Sequence, residues 1–295
     1  MGKFLSFLFL CLLPSLCAAG KAHVLLVPSG DAEPYRLFSD AFRQSLPGDI
    51  QVDEIKLENF TGSEKADLVV TIGMRAASLA VKKASMPVIA AMLPSYEYAV
   101  LKAMRPAGLS GIFVDQPWAR QVSFLRAAFP DRKLVGVLAS PDTGPDIDKL
   151  RLQLREAGDS LISEAVPRGT LFEKLEKVLS RSQVLLAVPD IAIYNSNTIR
   201  DILLSSYRHR IPVVAFSQAF VNAGALCAIY STPDQLAAQA GLMVNAYIRL
   251  KSLPEPEYPK LFKISVNHEV ASMLGIAIRS DELLILKLEQ GGPTR

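Results

Sequence analysis

The polar residues best placed to recognise a ligand stand directly after short apolar runs. Gly73-Met74-Arg75 follows residues 68–72, and Pro94-Ser95-Tyr96 comes just after 88–92. Ser140-Pro141-Asp142 comes just after 134–138, Pro189-Asp190 follows 184–188 with Tyr194 a turn later, and Ser217-Gln218 follows 213–216. If those runs are strands of an open parallel sheet, these residues lie at the carboxyl ends, the edge where such sheets bind ligands. Gly73 permits a tight turn into a helix whose free N–H groups favour an anion such as a carboxylate. Arg75 either adds a charge-assisted contact to that anion or stays solvated. Asp190 has two readings, an ammonium partner or a cap for the next helix. Tyr96, Tyr98 and Tyr194 either stack on a ligand or belong to the core.

Covalent and metal chemistry find little support. No G-x-S-x-G elbow, phosphate-binding G-x-x-x-x-G-K-[ST] loop or G-x-G-x-x-G turn occurs. His268-Glu269-Val270-Ala271-Ser272 opens like a zinc-binding H-E-x-x-H but ends on Ser, so the second ligand is missing. His23 opens an apolar run, and His209 lies between two arginines near a helix end, where the macrodipole alone favours a cation. The expectation is a binding protein rather than an enzyme, with no metal and no cofactor. A hydrolase remains open only through a nucleophile and a histidine brought together in space.

The elements that must position these residues alternate. Apolar, β-branched runs occur at 23–28, 68–72, 88–92, 109–114, 134–138, 184–188, 213–216, 226–230 and 262–266. Between them lie segments of helical period: Tyr35, Phe38, Ala41, Phe42 and Leu46 share one face, as do Val122, Leu125, Ala128 and Phe129. Near-continuous apolar strands between amphipathic helices predict α/β architecture, a parallel sheet covered on both faces. So many strands exceed one small lobe, which predicts two doubly wound sheets. A faint repeat points the same way. Residues 67–90 and 183–215 each read strand, loop, helix, then X-Pro-Val opening the next strand, although any two such units share that punctuation.

Half the 295 residues are hydrophobic and 21% are charged, enough apolar surface for a core. A net charge of +3 is too mild for nucleic-acid binding. Lys3, the apolar stretch 4–13, Pro14 and Cys17-Ala18-Ala19 read as a cleaved signal peptide over residues 1–19. Leu16 is too large to precede a lipidated cysteine, so a lipid anchor at Cys17 is not expected. Cleavage leaves Cys227 as the lone cysteine, in apolar surroundings that suit a core thiol. The leader predicts export to the periplasm, and a monomer is expected there.

The residues 68–77 with 87–91, then Ile211-Pro212-Val213-Val214, Gly224-Ala225-Leu226, 234–241, Val266-Asn267 and Leu274-Gly275-Ile276, resemble the ABC-transporter substrate-binding proteins of the aromatic-amino-acid-binding (TrpX-like) group. The order and spacing hold from about residue 23 to 278. The resemblance implies the type I periplasmic-binding fold: two Rossmann-like lobes, three hinge crossovers and a ligand in the interlobe cleft. Residues 20–115 and 231–258 would form the first lobe, and 116–230 and 259–295 the second. It implies that a ligand carboxylate meets the backbone at Gly73, Met74 and Arg75. The family's acid beside Pro94 is missing, its Asn-Pro turn is Ser140-Pro141, and its Ser-Asp pair is Ser217-Gln218, which leaves Asp190. The implied function is delivery of a small organic solute to an ABC permease. The alternative is a sensory or accessory protein of the same fold that reports a solute to a membrane sensor.

Overall fold

The computed structural model describes residues 21–141 and 146–290. The proposed signal peptide and Asp142 lie outside the described residues. The chain first lays down β1 (Ala22–Pro28), α1 (Glu33–Ser45), β2 (Ile50–Glu54), β3 (Leu68–Ile72), α2 (Met74–Lys83), β4 (Val88–Leu93), α3 (Ser95–Met104) and β5 (Leu109–Phe113). These strands form one sheet in the order β2-β1-β3-β4-β5, every neighbouring pair parallel.

The second sheet is built from the next part of the chain. Its elements are α4 (Trp118–Ala128), β6 (Leu134–Ala139), α5 (Ile147–Glu156), β7 (Ser160–Ala165), α6 (Leu171–Leu179), β8 (Val184–Leu186), α7 (Ile199–Arg208), β9 (Val213–Ala215), α8 (Gln218–Asn222) and β10 (Cys227–Tyr230). The chain then returns to the first sheet as α9 (Pro233–Leu250), before β11 (Lys263–Val266), α10 (His268–Leu274) and α11 (Asp281–Gln290) complete the second. The order there is β11-β10-β9-β8-β6-β7, with β11 antiparallel on the edge and the other pairs parallel. Two doubly wound lobes are therefore present, as the strand pattern predicts.

Each lobe is held by apolar side chains from both faces of its sheet. In the first lobe Phe38 and Phe42, one turn apart on α1, are fully buried and stack with ring centroids 6.0 Å apart. Returning α9 covers the same face with Leu236, Ala237, Ala240, Met243 and Val244. Its start is fixed by a capping box, Thr232 with Gln235, and by Pro233, whose ring suits the first helical position. Each fully buried Leu, Val or Phe contributes about 1.5–3 kcal/mol, so this single returning helix anchors the first lobe strongly.

The X-Pro-Val repeat has one physical job in both lobes. Pro87 accepts from the Val69 N–H and Pro212 from the Leu185 N–H, each at 2.9 Å. Each proline thus opens a ladder through its carbonyl, where its missing N–H costs nothing. The two units differ in how the preceding strand connects to its helix. Gly73 leads straight into α2, whereas a turn-rich segment, residues 187–198, intervenes before α7.

The chain crosses between sheets after β5, after β10 and after the 254–259 segment. These crossings are tied to one another by buried polar groups. Ser231 accepts from the Gln116 amide at 2.9 Å and donates to the Leu261 carbonyl at 2.6 Å. Arg120, 7% exposed, donates to the Gln116 side chain at 2.6 Å and to the Pro259 carbonyl at 2.7 Å, with its guanidinium over the Phe262 ring.

Candidate functional site

The carboxyl ends of the two sheets meet where Tyr96, after β4, reaches the Pro189 carbonyl, after β8. On the first lobe, Gly73 ends β3 with φ +83° and ψ 169°, a region essentially closed to other residues. Space demands glycine as well, because a Cβ there would lie 2.6 Å from the Tyr35 hydroxyl and 2.9 Å from that of Ser29. Ser29, at the end of β1, accepts from the Ala76 N–H at 2.9 Å and so caps α2 from a neighbouring strand. The Met74 and Arg75 N–H groups open the helix and, as in any first turn, have no intrahelical acceptor. Arg75 is exposed beside them and reaches back toward the Ser29 carbonyl at 3.4 Å, too long for a strong bond. Amides, helix dipole and guanidinium together form a seat for an anion.

The neighbouring strand end is acidic. Met92 takes a left-handed φ of +58°, and the β4–β5 register shifts between Ala91 and Leu93. That irregularity leads into Pro94 and the start of α3, where Ser95 donates to Asp115 twice, from its N–H at 2.7 Å and its hydroxyl at 2.6 Å. Asp115 thereby caps α3 from the end of β5. Burial pushes its carboxyl above the usual carboxylate range, and the Ser95 hydrogen bonds pull it back only in part. Glu97, two residues beyond Ser95, is raised as well, first by burial and then by the charges of Asp190 and Asp115.

The second lobe presents a more apolar wall. Asp190, 2% exposed, accepts from the Ser140 N–H at 2.8 Å, the Ser140 hydroxyl at 3.0 Å and the Ala192 N–H at 3.1 Å. Its carboxylate therefore joins the β6 and β8 loops and does not cap the next helix, since α7 begins at Ile199 behind Thr198. Tyr194 is buried and meets Phe216 edge-on at 6.2 Å, with Phe220 4.7 Å beyond. Burial, and then Asp190, raise its hydroxyl's pKa. Gln218 turns toward β10 and β11, accepting from the Tyr230 hydroxyl at 2.6 Å and from Ser265. Ile191 stands 76% exposed beside Asp190.

Away from the crossings, the Tyr96 hydroxyl of the first lobe donates to the Pro189 carbonyl of the second at 3.1 Å. Burial foremost, then Glu97, Asp190 and Asp115, keep that hydroxyl protonated well above the ordinary phenol range. The structure thus gathers Gly73, Met74, Arg75, Pro94, Ser95, Tyr96, Ser140 and Asp190 around the junction. Ser217 stands at the N-cap position of α8 without a side-chain cap bond. Gln218 is committed within the second lobe, and Tyr194 is buried there with its hydroxyl lacking a protein partner among the described residues. Glu97 and Asp115 are the residues the sequence reading passed over. Among the described residues no cluster of three or more His, Cys, Asp or Glu is arranged to hold a metal.

Two α/β lobes joined by three tied crossings, with polar strand ends facing a shared cleft, define a two-lobed ligand-binding protein. The model of the ABC transporter substrate binding protein family matches residues 51–289, and the chain belongs to that family. It is therefore a solute-binding protein of the ABC-importer kind, with the type I periplasmic-binding fold. Among solved structures, one similar chain is the ABC domain from Streptococcus pneumoniae in complex with L-Trp, 18% identical, with TM-score 0.66 over 90% of this chain and 98% of that one. Another is the ligand-free, open form of a substrate-binding protein with adhesive properties from Clostridium difficile, 15% identical, with TM-score 0.68 over 88% and 97%. A conserved domain protein from Vibrio cholerae is 18% identical, with TM-score 0.65 over 90% and 98%. No curated protein sequence matches the chain.

Proposed function

We propose that this protein is exported to the periplasm and captures there a small organic solute carrying both an acidic and a basic group. Closure of the lobes traps the solute for a membrane permease, and no bond is made or broken. The observation that carries the reading is the pairing, on one wall, of the α2 amino terminus and Arg75 with Glu97 and Asp115 beside them. The first seat suits a carboxylate and the second an ammonium group, while Phe216, Phe220 and Ile191 offer the facing lobe's apolar surface. The L-Trp held by the Streptococcus pneumoniae relative belongs to this ligand class, which supports the assignment.

The test is a thermal-shift screen of residues 20–295 against amino acids, simple carboxylates, polyamines, purines and neutral sugars. A ligand at a hundred times its dissociation constant stabilises the folded state by about 2.7 kcal/mol, several degrees for a chain of this size. Amino acids are expected to shift the transition more than carboxylates or polyamines, and Arg75→Ala to remove most of that shift. A response confined to sugars or purines would overturn the assignment.

A further inference from the structure

At the other end of the second lobe, where β6 and β8 begin, a cavity of 670 Å³ opens between the end of α4 and the segment joining α10 to α11. Two guanidiniums stand in its wall. Arg132 donates from Nη1 to the Gln183 carbonyl at 2.7 Å, and Arg279 from Nη1 to the Ala127 carbonyl at 3.0 Å. Arg132 is half-buried and Arg279 exposed, and the Nε and Nη2 donors of both have no protein acceptor among the described residues. Neither arginine has a carboxylate within 4.0 Å among the described residues. Asp159, at the same end of the lobe, is shared by Arg126 at 3.0 Å and Lys133 at 3.3 Å. Burial without an opposite charge is unfavourable for a guanidinium, and it lowers the Arg132 pKa below the ordinary value. Phe129, Ile276 and Ile278 supply the apolar part of the wall, and exposed Asp131 stands at the rim.

We propose that this cavity is a second binding site, separate from the cleft, for a small organic monocarboxylate with an apolar body. The carboxylate accepts from the uncommitted donors of Arg132 and Arg279, in the forked geometry that guanidinium favours. The apolar body lies against Phe129, Ile276 and Ile278. Asp131 at the rim disfavours ions of higher negative charge. The volume falls within the usual range for small-molecule sites.

The experiment titrates residues 20–295 with 4-bromobenzoate by calorimetry, with 4-bromobenzyl alcohol as the neutral counterpart. The Arg132→Gln/Arg279→Gln double variant should bind the acid at least about tenfold more weakly, since charge-assisted bonds are lost. Lys82→Gln, an exposed cation in the last turn of α2 with no part in either site, should leave this binding unchanged. Crystals of the unaltered protein soaked in the acid provide a readout free of any folding defect: the bromine's anomalous peak should lie beside Phe129. Equal affinity for the alcohol, indifference to the double variant, a bromine peak confined to the cleft, or no binding at all would each overturn the proposal.

Discussion

Gly73 concentrates the site's demands in one residue. Its φ of +83° excludes a side chain on conformational grounds, and the hydroxyls of Tyr35 and Ser29 exclude one on steric grounds. Both hydroxyls belong to the first βα unit, so the anion seat is built by close approach of separate segments. Gly73→Ala should therefore destabilise the fold by about 1–3 kcal/mol, through backbone strain and displacement of the Ser29 cap. Urea denaturation measures this directly, and an unchanged midpoint would show that the turn relaxes freely. Asp190 illustrates the opposite case. The sequence marks it as an acid at a strand end, but only its hydrogen bonds to Ser140 and Ala192 reveal that its charge serves the loop.

At the scale of elements, what the sequence disclosed depended on how many faces a strand buries. Strands such as β3 and β8, buried on both sides, stand out as apolar runs. β2 (Ile-Gln-Val-Asp-Glu) and β7 (Ser-Leu-Ile-Ser-Glu-Ala) were not legible, because each lies at a sheet edge and keeps much of its length exposed. Asp115 was missed although it follows the apolar run 109–114, the very rule that selected Arg75 and Asp190. Glu97 was hidden inside a helix, where charge ordinarily means solvent. The three crossings follow from the resemblance, but the tie between them does not, since Ser231 lies 115 residues from its partner Gln116. Ser231→Ala would leave the Gln116 amide and the Leu261 carbonyl without this partner, a loss of about 1–3 kcal/mol. An exposed control, Ser272→Ala, should be neutral in the same urea titration. Equal midpoints for the two variants would mean that the crossings are not held by this group.

For the whole molecule, acidic groups from both lobes lie close together at the junction, and pH exposes the cost. Burial and the charges of Asp190 and Asp115 raise the Glu97 pKa, with the Tyr35 and Tyr96 hydroxyls also close by. A carboxyl whose folded pKa exceeds its unfolded value, about 4.3 for Glu, holds more protons folded than unfolded. Stability from that group is therefore full below the unfolded pKa and declines as pH rises through the raised folded one. The depressed carboxyls Glu64, Glu164, Glu176 and Glu282 act oppositely, losing stability as pH falls through their folded values. Glu97→Gln removes one contribution and leaves those and Asp115 unchanged. The variant should match the unaltered protein near pH 4 and exceed it in urea stability at pH 8. Parallel stability curves across that range would show that Glu97 carries no penalty for its position. A basic group bound at Glu97 would relieve the same repulsion, so affinity for an amino acid should rise with pH through the raised pKa. In Glu97→Gln that rise should vanish together with most of the affinity, which joins the charge balance of the junction to the choice of solute.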